Sequence, residues 1–485
     1  MTEGLWRSDI VEKITKGTPV GPPWMATGIS FDSRTVCPGD LFFALTGGER
    51  DGHEFIESAF ANGAVAAIVE RMPCDIAEPT SFLIVDNIHE ALQKLAVESR
   101  RRVDAKILAV TGSVGKTGTK DALSLVLSKK NKVHATSGNF NNHLGVPISL
   151  ARMPELTEFG VFELGMNRPG EIKQLSQLVK PQLAIITNIN AVHLGHFENE
   201  QGIADAKAEI FLGMSRDSQI VLNLDNKWGE FLIAKARSAN IENIITFGRK
   251  NVCDVRLSKI ETTHKGSSIE LKISGNKIEY TLDFVGPHIA YNTVGVIACI
   301  HALNLNVEEA AISLKSIRLP RGRGGQVEIP LKSGASLTLI DESYNASPIA
   351  MQAALAVLGS RIPKYGGRRV AILGDMLELG ADAPSLHANL LDHLLAAKPD
   401  WVITIGSLMR ELYDKIPPNI NCLHADRSCD VSQMVSDELR AGDLILIKGS
   451  LGTNMAPIVS AIEKMKSNSR SPYQSLEVGG SQNAI

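Results

Sequence analysis

The chain has 485 residues, room for about three domains at roughly 150 residues each. Its 50 Lys plus Arg against 53 Asp plus Glu give a net charge of −3, without the basic surplus of a typical nucleic-acid binder. The opening residues Met1 to Trp6 lack the charged start and apolar core of a signal peptide, and no apolar run approaches the roughly 18 residues of a membrane span. A cytoplasmic protein with no membrane span and no nucleic-acid partner is expected. The six cysteines are scattered and form no CxxC pair, which suits reduced thiols.

Residues 1–102 predict a small α/β domain. Phe42-Phe43-Ala44-Leu45 and Ala64 to Val69 read as short buried strands, with helical spacing from Glu54 to Asn62 between them. The basic stretch Ser99-Arg100-Arg101-Arg102 marks a boundary. Residues 103–319 alternate strand and helix. The strands are Ile107 to Val110, a second ending at Phe162-Glu163-Leu164, Leu183 to Thr187, and Ile220 to Asn223; Thr117 to Leu127 is a helix. Such alternation predicts a mostly parallel sheet with helices on both faces. Alternating residues from Ile269 to Phe284 add an antiparallel ribbon. The Gly- and Arg-rich Pro320 to Gly325 reads as a linker into a third, Rossmann-like domain, 320–466. Its strands are Leu337 to Ile340, Val370 to Leu373, Trp401 to Thr404 and Leu444 to Ile447. The polar tail, 467–485, is expected to be disordered. The fold class is α/β in three domains, the central one carrying a P-loop.

That loop is Val110-Thr111-Gly112-Ser113-Val114-Gly115-Lys116-Thr117, between an apolar strand and a helix. Backbone N–H groups at a helix N-terminus bind phosphate oxygens, and glycine lets the backbone come close. Lys116 is placed to reach the β- and γ-phosphates of ATP, and Thr117 to put its hydroxyl on Mg²⁺. The general motif has a glycine where Val110 stands. Gly112 takes that part, so the loop is a shortened variant.

The shortened loop resembles that of the Mur ligase family, and further motifs agree. Glu163-Leu164-Gly165-Met166-Asn167 with Gly170-Glu171-Ile172 resembles the family's metal-binding strand end. Thr187-Asn188-Ile189 with His193-Leu194 resembles its next motif, and Lys207-Ala208-Glu209-Ile210-Phe211 the segment whose lysine is carbamylated. Phe31-Asp32-Ser33-Arg34 through Asp51-Gly52-His53-Glu54-Phe55 resembles a uridine-nucleotide domain. Asp341 to Pro348 and Gly374-Asp375-Met376-Leu377-Glu378-Leu379-Gly380 resemble the branch of the family that adds a dipeptide. Departures are Glu342 for Asp, Ser347 for Asn, a partial adenine-site pattern at Gly286 to Asn292, and Leu451 where the family carries Arg.

The resemblance implies an ATP-dependent carboxylate–amine ligase. Its substrates would be a UDP-N-acetylmuramoyl tripeptide and D-alanyl-D-alanine, and the enzyme would act as a monomer. Thr117, Glu163, His193 and a carbamylated Lys207 would serve Mg²⁺. Gly112, Ser113, Val114, Gly115, Lys116, Asn292, Arg323 and Asp341 would hold ATP, with Lys116, His193, Lys207 and Arg323 acting in catalysis. Ser33 and Arg34 would meet the uridine diphosphate, and Asn345, Ser347 and Pro348 the dipeptide. Each also has an ordinary structural reading: a capping carboxylate, a surface histidine, a solvated helix lysine, a solvated linker arginine. The rivals are a sister ligase, such as one adding the third amino acid or polyglutamating folate, and a nucleotide-gated binding protein that performs no ligation.

Overall fold

The computed structural model describes residues 4–47, 50–73, 80–190, 197, 199–263, 266–283, 286–318, 321–331 and 334–466. His193 and the tail 467–485 lie outside them. No helix among the described residues is long and apolar enough to cross a membrane.

Three sheets organise the chain. The first has five strands in the order Thr18–Val20, Phe82–Ile84, Ala66–Val69, Asp40–Phe43, Gly28–Ser30, all parallel except the Thr18–Val20 edge. The helix Ile88–Arg102 packs against it. Asn87 caps that helix by accepting the Glu90 N–H at 2.8 Å. Ile88, Ala91, Leu92, Leu95, Ala96 and Ser99 form its buried stripe, at helical spacing. The Arg-rich stretch is therefore a helix end, where cations favour the last turn. Two of its arginines also reach backbone carbonyls: Arg100 Nε donates to Val179 O at 2.9 Å, and Arg102 Nη1 to Leu5 O at 2.9 Å.

The second sheet has nine strands in the order Val133–Ala135, Phe159–Glu163, Lys106–Thr111, Leu183–Ile186, Gln219–Asn223, Asn243–Gly248, Val255–Thr263, Gly266–Ile273, Asn276–Leu282. Strands are parallel as far as Val255–Thr263, and the last two pairs are antiparallel. The ribbon is thus a direct continuation of the parallel sheet. The apolar runs of the parallel strands bury on both faces, in two clusters on opposite sides of the sheet. The third sheet has six strands in the order Gly325–Pro330, Ser336–Glu342, Leu444–Lys448, Arg369–Gly374, Trp401–Ile405, Asn421–Ala425, parallel except for the first pair.

The junctions between sheets differ in kind. Ile148 and Ala151, on the helix Gly145–Ala151, belong to the hydrophobic core of the first sheet. Trp6 Nε1 donates to Ala151 O at 2.8 Å, Arg152 Nε to Ile29 O at 2.6 Å, and the Phe31 and Phe140 rings lie 5.5 Å apart. Arg102 covers the Trp6 ring at 3.9 Å. The first two sheets therefore share a core. The cores of the third sheet draw only on residues from Val327 onward among the described residues, so it shares no hydrophobic core with the second. Trp6, 1% exposed, is the anchor of the shared core. Trp6→Ala is expected to lower the unfolding free energy by ~3–5 kcal/mol. Trp6→Phe, which keeps a ring under Arg102 but loses the hydrogen bond and part of the indole volume, should cost less, about 1–3 kcal/mol. Urea titration followed by far-UV circular dichroism measures both.

Candidate active site

The parallel strands bring their C-terminal ends to one edge of the large sheet. Lys106–Thr111 lies between Phe159–Glu163 and Leu183–Ile186, with Val110 opposite Glu163 and Thr111 opposite Ile186. Strand order reverses here, and such a point leaves a ligand crevice outside the strand ends.

The phosphate loop fills that crevice. Gly112 and Gly115 have φ of +147° and +87°, which a side chain would strain. Space is short as well: a Cβ on Gly112 would lie 2.0 Å from Thr187 Oγ1, and one on Gly115 2.4 Å from Asn292 Nδ2. The residues after the third strand clamp the loop. Asn188 O accepts from Ser113 N at 2.9 Å, and Asn188 Oδ1 from Val114 N at 3.0 Å. Thr187 Oγ1 donates to Val114 O at 2.7 Å, and Ser113 Oγ to Asn190 O at 3.0 Å. Ser113 and Val114 thus commit their N–H groups to holding the loop's shape. The free donors belong to the first turn of the helix Lys116–Leu127, whose N–H groups have no intrahelical acceptor. Lys116 Nζ folds back to Gly112 O at 2.8 Å and Ser113 O at 3.3 Å. Burial pulls its pKa below the usual lysine value; Glu163 opposes that pull, and Arg323 adds to it.

Glu163 ends its strand buried, and its Oε1 accepts from Asn141 Nδ2 at 2.8 Å. Its Oε2 and the Thr117 hydroxyl are buried with no hydrogen-bond partner among the described residues. Two unpartnered hard oxygen donors beside a phosphate loop fit Mg²⁺, which takes oxygen ligands and retains waters. Lys207 is 2% exposed on the helix Glu200–Ala208. Burial and the neighbouring Lys116 push its pKa well below the ordinary lysine value, and no carboxylate pairs with it among the described residues.

The other predicted residues divide. Asn292, on the helix Pro287–Ala302, stands against Gly115 and so buttresses the loop. Arg323 approaches the same loop from the linker, its guanidinium 4.1 Å from the centroid of the Tyr344 ring. Asp341 is buried and holds the linker in place: its Oδ2 accepts from Gly322 N at 3.1 Å and its Oδ1 from Ser343 N at 3.1 Å. Glu342 pairs with Lys448 Nζ at 2.9 Å, both buried. Ser347 caps the helix Pro348–Ser360 through the Ala350 N–H at 3.4 Å, with Pro348 at its first position. Asn345 Oδ1 accepts from Ala346 N at 2.8 Å, and its carbonyl accepts from Lys448 Nζ at 3.0 Å. In the first domain Ser33 is buried, while Arg34 is exposed and held by Asp32 at 2.5 Å. Asp375 accepts the N–H groups of Leu408 at 3.3 Å and Met409 at 2.8 Å, a loop-shaping role, and Leu451 stands exposed.

Sequence reasoning missed a segment at the centre of the site. Ser137 to Asn142 connects the Val133–Ala135 strand to the Gly145–Ala151 helix and meets all three domains. Phe140 stacks on Phe31, Asn141 holds Glu163, and Asn139 approaches Tyr344. Buried Lys120 ties it down through Thr136 O at 2.7 Å and Gly138 O at 3.3 Å. Its signal was present: Gly138-Asn139-Phe140-Asn141-Asn142 is a run of Gly and Asn between a strand and a helix.

Three stretches match Mur ligase families: residues 26–100 the Mur ligase family catalytic domain, 110–300 the Mur ligase middle domain, and 329–451 the Mur ligase glutamate ligase domain. The UDP-N-acetylmuramoyl-tripeptide–D-alanyl-D-alanine ligase of Rickettsia prowazekii is 36% identical over 455 residues, covering 94% of this chain and 99% of the relative. The chain belongs to the Mur ligase family. The enzyme of the same name from Bacillus subtilis is 33% identical, covering 93% and 96% of the two chains. A MurF crystal structure from Acinetobacter baumannii superposes with a TM-score of 0.79 at 28% identity, covering 96% of this chain and 99% of that one. A MurF ligase from Thermotoga maritima, solved in complex with ADP, gives 0.73 at 26% identity, covering 90% and 97%. These likenesses span all three sheets of the ligase.

Asn141 orients the Glu163 carboxylate, so its loss should weaken metal binding without removing a ligand. Asn141→Ala is expected to cost about 10–100-fold in Mg²⁺ affinity in the presence of nucleotide. Titration calorimetry with and without EDTA checks this: metal-free nucleotide binding should be unchanged.

Proposed function

We propose that this ligase joins D-alanyl-D-alanine to a UDP-N-acetylmuramoyl tripeptide at the expense of ATP, making a pentapeptide precursor of peptidoglycan. The observation that carries the ATP chemistry is the clamped loop Gly112 to Thr117 beside a buried, half-unpartnered Glu163. The substrates are those named for the relatives from Rickettsia prowazekii and Bacillus subtilis, which align along almost their whole length. We read the chain as a cytoplasmic monomer acting on these small molecules.

The condensation is uphill until the carboxylate oxygen becomes a good leaving group. The γ-phosphoryl of ATP passes to the carboxylate, giving an acyl phosphate and ADP. The dipeptide amine then attacks the acyl carbon, and phosphate leaves through a tetrahedral intermediate as the amine gives up its proton. The protein contributes position and charge. The first-turn N–H groups and Lys116 hold the β- and γ-phosphates. Thr117 and Glu163 would hold Mg²⁺, which supplies charge neutralisation on the phosphates. Arg323 brings a planar fork of donors from the linker toward the transferring group. Residues 1–102 are read as the domain for the nucleotide sugar, with Ser33 and Arg34 at its diphosphate, 103–319 as the ATP domain, and 320–466 as the domain for the dipeptide, with Asn345, Ser347 and Pro348 at its pocket. His193 is read as a further metal or phosphoryl ligand.

The decisive assay is phosphate release from Mg-ATP and the tripeptide nucleotide, with and without D-alanyl-D-alanine. Release that depends on the dipeptide is expected. Release that depends instead on a single amino acid would move the protein to a sister specificity, and no amine-dependent release would sink the reading.

Lys207 is read as carbamylated in the working enzyme. Its buried position favours the neutral amine, the form that attacks CO₂ to give a carbamate and one proton. The product is an anion in place of a neutral amine beside Lys116. Protein equilibrated with ¹³C-bicarbonate should show a carbamate resonance that Lys207→Met lacks. Lys207→Met should also raise the melting temperature of the free protein while lowering turnover, because it removes a buried amine with no carboxylate partner. A wild-type spectrum without that resonance would overturn the assignment.

A further inference from the structure

Arg323 sits in a loop that gives it little of its own order. Its neighbours Gly322 and Gly324 have φ of +75° and +91°, and the chain enters a strand only at Gly325. The loop is ordered by its contacts with the end of the Ser336–Glu342 strand. Gly322 N donates to Asp341 Oδ2 at 3.1 Å, Tyr344 N to Gly322 O at 3.0 Å, and Gly324 N to Asp341 O at 2.7 Å. A Cβ on Gly322 would lie 3.0 Å from Tyr344 Cβ, so the backbone is pressed against this tyrosine. The Tyr344 ring then supports the guanidinium at 4.1 Å, a separation at which the ring face attracts a cation.

We propose that Tyr344 is the positioning residue that holds Arg323 over the phosphate loop, and that it does so through the face of its ring together with its phenol oxygen. The inference rests on the reading of Arg323 as a phosphate ligand. The surroundings agree with it. Arg323 is close enough to add to the charge felt by Lys116 and Asp121, and the Tyr344 phenol hydrogen-bonds both Arg323 and Asn139 and approaches Glu163 on the ATP domain. The ring therefore belongs to the dipeptide domain but faces the site built by the ATP domain. Only when the two domains meet does the guanidinium have both its ring support and its phosphate target. Planarity matters: guanidinium stacks on an aromatic face, and its five donors stay free at the edge for phosphoryl oxygens.

The test is steady-state kinetics of the full chain carrying Tyr344→Phe, Tyr344→Leu, Arg323→Ala, or Tyr344→Leu with Arg323→Ala, with melting curves and ATP affinity for each. Tyr344→Leu is expected to lower kcat by roughly tenfold with ATP affinity changed by less than about threefold, since an interaction realised in the transition state is lost. Tyr344→Phe, which keeps the ring and loses the phenol hydrogen bond, should fall between the parent and Tyr344→Leu in kcat. The double variant should be no slower than Arg323→Ala alone. Additive losses, or a Phe variant as slow as the Leu variant, would overturn the proposal. So would a Tyr344→Leu enzyme at parental kcat while Arg323→Ala is impaired, a result that leaves the Arg323 reading standing. An Arg323→Ala enzyme at parental kcat would overturn both. Should the melting curve show that Tyr344→Leu does not fold, Tyr344→Met takes its place in the same comparisons.

Discussion

The site is organised around a close cluster of basic side chains. Lys116 lowers the pKa of buried Lys207, and Arg323, reaching in from the linker, lowers that of Lys116. Glu163 offsets Lys116, yet half of its own carboxylate is left without a partner among the described residues. Buried cations short of counter-charge are costly, and anionic phosphates or a carbamate relieve that cost. The arrangement is thus destabilising in the free protein and favourable once nucleotide is bound. It explains why so many surrounding groups serve only to hold a few atoms still. Thr187, Asn188 and Asn190 clamp the loop, Asn292 backs Gly115, and Lys120 pins the segment that presents Asn141 to Glu163.

The junctions of the fold divide labour around this pocket. The first domain is fused to the central one through a common apolar core, with Trp6 and Ile148 packed into it. Any substrate held there has a fixed direction toward the phosphate loop. The third domain has its own cores and reaches the pocket through Arg323 and Tyr344. Cores resist sliding because close-packed side chains have few alternative fits, whereas polar contacts across a glycine-rich linker can be broken and remade. Movement is therefore expected at the second junction and not at the first.

Much was legible in the chain itself. The strand–loop–helix pattern around Lys116 was read from spacing, and the fold places that loop at the strand ends as expected. Apolar runs spaced by helices announced parallel sheets, and the alternation from Ile269 to Phe284 announced the ribbon at their edge. Less legible were residues whose roles arise from distant partners. Ser113 and Val114 sit in the motif but bond to Asn188, 74 to 75 residues away. Ser347 and Pro348 belong to a substrate-like motif, and in the fold they start a helix. Arg100 and Arg102 read as a charged boundary and turned out to cap carbonyls and cover Trp6.

Local structure, then, was determined by the sequence alone: which glycine-rich segment would join a strand to a helix, which carboxylate would end a buried strand, and which runs would form the sheets. Those properties depend on neighbours a few residues apart, where backbone geometry leaves few choices. The tertiary structure decided which of these groups meet. It brought Asn139 and Asn141 to the pocket, left Glu163 Oε2 and the Thr117 hydroxyl without partners among the described residues, buried Lys207 beside Lys116, and set Tyr344 beneath Arg323. Each of those outcomes follows from strand order and domain packing, which join residues far apart in the chain and so leave no mark at any single position in it.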